Sequence, residues 1–276
     1  MDSNKPIIIG ASLTGQHLQA GLIRNNRISQ SEQLTINNYD TEEAILRQLI
    51  NAISSLMDET VEGIGVGVPS LVDVGQGIVY DAVNIPSWRE VHLKDLLEER
   101  FGVKAYINND ANCFAAGEKY FGKASEMRDM VGLLIGTGMG AGIIADNKLY
   151  TGSNCGAGEF GSIAYREKNY EYYCTEPYFD IKYGLKPAML YKRAKRKDKI
   201  ALAIFEQLGY DLGNAINTIL FATDPEGIII GGPVAAHFPL FEKAMWENIK
   251  KFPYKRSINK LTITPSEEPN IGLLGA

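Results

Sequence analysis

The stretch Val103-Lys104-Ala105-Tyr106-Ile107-Asn108-Asn109-Asp110-Ala111-Asn112 sets a short apolar run directly before two amides and a carboxylate. The run over Val103–Ile107 predicts a strand, and Ala111–Tyr120 predicts a helix after it. An Asp just beyond a strand, among Asn108, Asn109 and Asn112, falls where open α/β sheets bind ligands. Amides there can orient a polyol, and the Asp110 carboxylate can take a hydroxyl proton as a general base. The same residues also fit a strand-ending Asx turn or a helix cap, and both readings stay open.

Working outward, apolar runs bounded by turn residues alternate with helical patterns, the signature of an α/β protein. Toward the N-terminus, Pro6–Gly10 reads as a buried strand, with His17–Ile23 as its hairpin partner across a turn near Gly15. Ala44, Ile45, Leu49, Ile53 and Leu56 recur at helical spacing over Thr41–Met57, with Thr41 as N-cap and Glu42 and Glu43 in the first turn. Val61–Val68 is a strand ending at Pro69, and Val91–Phe101 a helix closed by Gly102.

Toward the C-terminus, Met130–Ile135 and Gly142–Ala145 read as strands joined by a turn over Gly136–Gly140. Lys199–Leu220 is a long helix, and Gly227–Ile230 a strand running into Gly231-Gly232-Pro233. Two strand-rich sections, each with a glycine turn, predict two lobes around a cleft. The division falls near Asn112–Gly122, giving lobes over 1–114 and 115–276.

The chain has 276 residues, a net charge of −5 and 45% hydrophobic residues, which excludes a disordered or fibrous chain. Mild acidity argues against a main task of gripping nucleic acid by charge. The basic run from Lys192 to Lys199 reads as a solvated helix face or loop. Cys113, Cys155 and Cys174 are odd in number and widely spaced, which fits a reducing compartment. The N-terminus has an acid at Asp2 and only a short apolar run, unlike a secretory leader. Met130–Ala145, the longest uncharged stretch, is too short to span a bilayer and contains five glycines. A soluble, cytoplasmic protein is expected.

Gly136, Gly138, Gly140 and Gly142 could let backbone N–H groups approach phosphate oxygens, or could form a tight hairpin. No helix follows, so this is not a dinucleotide fingerprint, and the Lys-Ser/Thr pair of a P-loop is missing. Glu159, among Gly156, Gly158 and Gly161, is either a carboxylate posed toward a ligand or an exposed turn acid. His17, His92 and His237 are scattered on unrelated elements.

In chain order the sequence carries Gly65-Val66-Gly67-Val68-Pro69-Ser70-Leu71-Val72-Asp73, Asn84-Ile85-Pro86-Ser87-Trp88 and Asn108-Asn109-Asp110-Ala111-Asn112. It continues with Gly117-Glu118, Gly136-Thr137-Gly138-Met139-Gly140-Ala141-Gly142, Ala157-Gly158-Glu159-Phe160-Gly161 and Pro225-Glu226-Gly227-Ile228-Ile229-Ile230-Gly231-Gly232. Taken together, these resemble the ROK family of sugar kinases and sugar-responsive repressors.

The resemblance implies a two-lobed actin/hexokinase-like (ribonuclease H-like) ATPase fold with a central cleft. It implies ATP-dependent phosphorylation of a hexose or N-acetylhexosamine, with ATP and Mg²⁺ as cofactors. Asp110 would be the base, Asn84, Asn109 and Glu159 would hold sugar hydroxyls, Gly136, Thr137 and Gly138 would face phosphates, and Gly231 and Gly232 would lie near the adenosine. It also implies a homodimer.

Three departures from the family pattern follow. The first phosphate loop, an acid followed by x-Gly-Gly-Thr, is matched here by Gly10-Ala11-Ser12-Leu13-Thr14. Only Thr14 survives there; Gly10 stands for the acid, and Ser12 and Leu13 place side chains where bare backbone would meet phosphate. That loss would cost about a thousandfold in rate. Ser162 replaces a His, and only Cys174 remains of a cysteine cluster. One thiol cannot build a tetrahedral site, so no structural zinc and no other metal ligand is expected. Cys174-Thr175-Glu176 still matches the end of that cluster, making Glu176 a sugar-contact candidate and Ser162 a shorter one.

Finally, Gly272-Leu273-Leu274-Gly275-Ala276 resembles the start of a last helix that returns to the first lobe and normally continues. The family's repressors carry a DNA-binding helix pair before the first strand, and six residues precede Ile7 here, so no nucleic-acid partner is expected by that route. A sugar-binding protein of the same fold that transfers no phosphate is the alternative.

Overall fold

The computed structural model describes residues 5–276; Asp2, which bears on the leader reading, lies outside the described residues. Two compact units divide the described residues, one formed by residues 5–126, 149–157 and 268–276, the other by 127–148 and 158–267.

In the first unit, β1 (Ile8–Thr14), β2 (His17–Arg24) and β3 (Arg27–Thr35) form an antiparallel meander. Helix α1 (Glu42–Leu56) follows, and then β4 (Gly63–Val68). Period-two burial places Ile9, Ala11 and Leu13 of β1 in the core with Leu18, Ala20 and Leu22 of β2. The Thr41 hydroxyl accepts the Ala44 N–H at 3.3 Å and starts α1, whose Ile45, Leu49, Ala52, Ile53 and Leu56 are buried. Each fully buried Leu or Ile contributes about 1.5–3 kcal/mol. A small sheet of β5 (Leu71–Asp73), β6 (Ile78–Tyr80) and β7 (Glu90–Val91) precedes α2 (Leu93–Phe101), which Gly102 ends in the left-handed region at φ 70°. β8 (Lys104–Asn109) and α3 (Asp110–Phe121) complete the main run.

The sheet order is β3-β2-β1-β4-β8, with β1, β4 and β8 parallel. β4 is buried on both faces, and its glycines have a purpose. A Cβ on Gly67 would touch Cys113 of α3 at 3.1 Å, and one on Gly65 would strike Ala276 at 2.1 Å.

In the second unit, β9 (Met130–Ile135) and β10 (Met139–Ala145) form a hairpin, and the chain leaves along β11 (Lys148–Tyr150). It re-enters through a 3-10 turn at Phe160–Ser162, the short hairpin β12 (Ala164–Tyr165) and β13 (Lys168–Asn169), and helices α4 (Tyr170–Cys174), α5 (Glu176–Tyr183), α6 (Pro187–Lys195) and α7 (Lys199–Thr223). β14 (Gly227–Gly231), α8 (Phe238–Ile249), α9 (Lys255–Lys260) and β15 (Thr262–Pro265) follow. The chain then returns to the first unit with α10 (Ile271–Leu274). Here β10-β9-β14-β15 repeats the plan of β2-β1-β4-β8: an antiparallel hairpin whose inner strand continues into parallel neighbours. Among the described residues no helix is long and apolar enough to cross a membrane.

Several readings shift. The first strand runs on to Thr14, and the true turn is at Gly15-Gln16, with Thr14 paired to His17. Gly10–Thr14 is therefore strand rather than loop. A Cβ at Gly10 would lie 2.3 Å from the Leu273 carbonyl oxygen, so position 10 cannot carry an acid toward a ligand. Leu13 is fully buried in the core and does not obstruct the turn. Ser12, on the face of Gly10 but half-buried, and exposed Thr14 are the side chains left at that end. The glycine turn of the second unit is also shorter than read: Met139 and Gly140 already belong to β10. β3, rich in Ser and Gln, and the α4–α6 segment were not legible as elements.

Candidate functional site

The first group sits where β8 meets α3. Asn109, the last strand residue, is the N-cap: its Oδ1 accepts the N–H groups of Ala111 (2.9 Å) and Asn112 (3.3 Å), and its Nδ2 donates to the Ser70 carbonyl at 3.1 Å. Both acceptor positions of its amide are occupied, and one Nδ2 hydrogen remains for a hydroxyl. The cap fixes Asp110 as the first helical residue, half-buried, with Oδ1 accepting the Ala111 N–H at 2.9 Å. A carboxylate there is favoured by the helix dipole.

Beneath it, Asn112 is 1% exposed and donates to Asn108 Oδ1 at 3.0 Å and toward Cys155 Sγ at 3.3 Å. Cys155 in turn donates to Asn108 Oδ1 at 3.4 Å. Burial, first, and the Asp110 charge push the Cys113 thiol far up, so it stays protonated.

Asn84 lies on an exposed loop in the left-handed region, φ 64°, which Asn tolerates better than most residues. Its carbonyl accepts from Asn38 Nδ2 at 2.6 Å. The loop is anchored by Trp88, fully buried, whose N–H donates to the Ile85 carbonyl at 3.0 Å.

In the second unit the turn Gly136-Thr137-Gly138 joins β9 to β10. The Gly136 N–H donates to the Gly138 carbonyl at 2.9 Å, and the Met139 N–H to Glu171 Oε2 at 3.0 Å. A phosphate would therefore depend on the N–H groups of Thr137 and Gly138. Gly232, at φ 80°, packs so closely that a Cβ would lie 2.3 Å from the Ile135 carbonyl oxygen, and a Cβ on Gly136 would meet Pro233 at 3.1 Å. The structure thus brings the 136–138 turn and Gly231-Gly232 side by side. The absence of side chains at Gly136 and Gly232 is what lets these two turns pack so closely.

Glu159 follows Gly158 (φ 96°), whose close approach to the Ala141 carbonyl no side chain could share. Partial burial, first, and the Glu171 charge raise its carboxyl above the ordinary glutamate range. Glu176 opens α5, with its N–H donating to the Gly136 carbonyl at 3.0 Å, and burial raises its carboxyl too. It is half-buried, not the exposed turn acid that was its alternative. Ser162 is exposed and, with Thr137, lines one open hollow of about 510 Å³.

Glu171 was missed in the sequence, where nothing but its position among tyrosines marks it. So was Asp211. It has no exposed surface and interrupts the apolar face of α7 between Leu208 and Leu212. Its Oδ1 receives Arg166 Nη2 at 2.5 Å, Tyr165 OH at 2.9 Å and Gln207 Nε2 at 3.0 Å. Tyr165 stacks on Tyr170 with centroids 4.6 Å apart and meets Tyr173 edge-on at 5.6 Å. This clamp ties the segment carrying Ser162, Glu171 and Glu176 to α7. Cys174 is fully buried beside it, and among the described residues no three His, Cys, Asp or Glu side chains are gathered as metal ligands.

The repeated hairpin-plus-parallel sheet plan defines an actin/hexokinase-like fold. A ROK-family glucokinase from Streptomyces griseus, solved with glucose and AMPPNP, superposes with a TM-score of 0.82 at 24% identity, over 98% of this chain and 97% of that one. Residues 8–276 match the ROK family, and the chain belongs to it.

Similarity reaches both branches of that family. A xylose repressor of Caldicellulosiruptor bescii is 27% identical over 270 residues, covering 83% of this chain and 66% of the repressor. A glucokinase of Halalkalibacterium halodurans is 32% identical over 204 residues, covering 63% of this chain and 62% of the kinase. The chain thus spans just under two thirds of the length of these relatives.

Proposed function

We propose that this protein is a sugar kinase that uses Mg-ATP to phosphorylate a hexose or N-acetylhexosamine. The observation that carries this reading is the fixed placement of Asp110 just beyond β8, capped by Asn109 and backed by the hydrogen bond from buried Asn112 to half-buried Asn108. Asp110 takes the proton of the attacking sugar hydroxyl, and the oxygen forms its bond to the γ-phosphorus as the bond to ADP breaks. Positioning does most of the work in such transfers.

Asn84, the remaining Nδ2 hydrogen of Asn109, Glu159, Ser162 and Glu176 hold sugar hydroxyls. The N–H groups of Thr137 and Gly138, with Thr14 of the first hairpin, hold phosphates, and Gly231-Gly232 leaves room for the adenosine. Mg-ATP supplies the phosphoryl group and the cation that offsets its charge. This reading carries with it a cytoplasmic site of action and a homodimer.

One observation favours a second reading. Glu171 places a carboxylate 3.1 Å from where a Gly138 Cβ would be, and Ser12 and Thr14 offer no acid for the hydrated cation. A protein that binds sugar without transferring phosphate fits those facts. ADP-release kinetics over a panel of hexoses and N-acetylhexosamines, with calorimetry for sugar and Mg-ATP, separates the two. Turnover that Asp110→Asn lowers about 10²–10⁴-fold supports the kinase. Sugar binding with no Mg-ATP binding and no turnover overturns it.

A further inference from the structure

Among the side chains assigned to sugar, Asn84 alone stands on left-handed backbone, at φ 64° on an exposed loop. Residues with a side chain adopt that region as a minority state, so something outside the residue must select it. Within the loop the Ile85 N–H donates to the Ala82 carbonyl at 3.1 Å, the Ala82 N–H to Trp88 at 2.9 Å and the Trp88 N–H to Ile85 at 3.0 Å. These bonds close the loop on itself and do not use the Asn84 carbonyl. Asn38, in the segment between β3 and α1, donates its Nδ2 hydrogen to that carbonyl at 2.6 Å. We infer that Asn38 is a positioning residue: it holds the 84–85 peptide in the orientation that aims the Asn84 side chain, and so sets sugar affinity from outside the site.

The inference rests on the reading of Asn84 as a sugar contact. Its donor is itself fixed. Ile36, 3% exposed, donates its N–H to the Gln16 carbonyl at 2.9 Å. The turn that follows is closed by Asn37 Nδ2 on Asp40 Oδ1 at 2.7 Å and by the Asp40 N–H on the Asn37 carbonyl at 3.1 Å. Asn38 is 7% exposed, and its Oδ1 has no partner among the described residues. An interior amide costs free energy unless it is hydrogen-bonded, so for packing alone an apolar residue of that size would serve better. What the amide supplies is the bond to Asn84.

A separate tie joins the loop to the Asp110 cap. The Val83 N–H donates to the Pro69 carbonyl at 2.9 Å, and the next carbonyl, of Ser70, accepts from Asn109 Nδ2 at 3.1 Å. With that anchor intact, loss of the Asn38 donor frees the 84–85 peptide and leaves the base in place. Apparent affinity falls with the fraction of molecules in the competent conformer, so the effect belongs in sugar binding and KM, not in kcat.

Calorimetry on the intact protein with glucose, mannose, N-acetylglucosamine and N-acetylmannosamine finds the sugar that binds most tightly. For that sugar, Asn38→Leu and Asn38→Asp, which keep the size of the side chain and remove its donor, should each weaken binding about tenfold. Mg-ATP affinity and kcat should stay within about threefold, since neither depends on that conformer. In the Asn84→Ala protein, Asn38→Leu should add less than about twofold, because the two residues act as one unit. Without sugar, hydrogen exchange at the Ile85 and Trp88 N–H groups should quicken in Asn38→Leu.

Weaker sugar binding in Asn84→Ala, with both Asn38 variants binding like the natural protein, overturns the inference and leaves the sugar reading standing. An equal loss from Asn38→Leu with and without Asn84→Ala makes Asn38 merely structural and also overturns it. Unchanged sugar affinity in Asn84→Ala removes Asn84 from the site and the inference with it. No binding of any of the four sugars sinks both.

Discussion

Arg166 Nη2 lies 2.5 Å from Oδ1 of Asp211, a carboxylate with no surface in contact with solvent. Burial, the largest influence, raises the Asp211 carboxyl above the ordinary aspartate range, against the lowering effect of Gln207, Tyr165 and Arg166. An acid whose native affinity for protons exceeds its unfolded one costs stability as pH rises between the two values. Arg166→Met removes one opposing charge and pushes the carboxyl higher. It should destabilise the protein by about 2–3 kcal/mol near neutrality, less than for a fully buried pair because Arg166 is partly in water. Thermal melts should show the gap between the natural protein and Arg166→Met widening from pH 4 to pH 7. A constant gap would show that the pair carries no such role.

Glu159 and Glu176 both titrate above the usual glutamate range. If they accept sugar hydroxyls as carboxylates, affinity must fall on acidification while ordinary surface glutamates are still ionised. Calorimetric titration over a pH series tests this. Glu159→Gln should lose about tenfold or more in affinity, a charge-assisted hydrogen bond being worth about 1.5–3 kcal/mol. Affinity flat to the ordinary glutamate range would place both side chains outside the sugar contacts.

The glycines under α10 are tight. A Cβ on Gly117 would lie 2.0 Å from the Ile271 carbonyl oxygen, and one on Gly10 2.3 Å from that of Leu273. Gly117→Ala and Gly10→Asp should each cost about 1–3 kcal/mol by overpacking and lower the melting temperature. Gly10→Asp should leave nucleotide affinity no higher, whereas Ser12→Asp, on the uncovered end of β1, should raise Mg-ATP affinity. The reverse pattern would mean the hairpin is misplaced in the phosphate reading.

Asn109 both caps α3 and tethers it to Ser70. Asn109→Ala should cost about 1 kcal/mol and lower kcat through a less well held Asp110. Asn109→Ser should restore the stability but not the Ser70 tether. Identical kcat in all three proteins would confine Asn109 to a structural part.

Elements with strong local signals were legible: the Thr41 cap and apolar stripe of α1, the Gly102 stop of α2, the long stripe of α7. The glycine turns at 136–138 and 231–232 and the strand-end position of Asp110 were legible too, because tight turns and helix starts need particular residue types. β3 was not, since an edge strand of Ser and Gln has no apolar face to announce it. The Gly10–Thr14 segment read as a loop because it was matched to the family's first phosphate loop, whereas it lies within β1. In the folded chain Gly10 makes room for a backbone 263 residues later, which no local pattern records. Asp211 carried a visible signal, an acid inside an apolar stripe, but its partners Tyr165 and Arg166 are distant in sequence.

Trp88 gives the Asn84 loop an intrinsic optical label. The chain has two tryptophans, and Trp246 can be exchanged for Phe to leave one emitter four residues from Asn84. Sealed from water and hydrogen-bonded to Ile85 through its backbone, that indole will shift its emission colour or quantum yield if the loop moves when a carbohydrate arrives. Occupancy could then be followed by stopped-flow fluorimetry without attaching any dye.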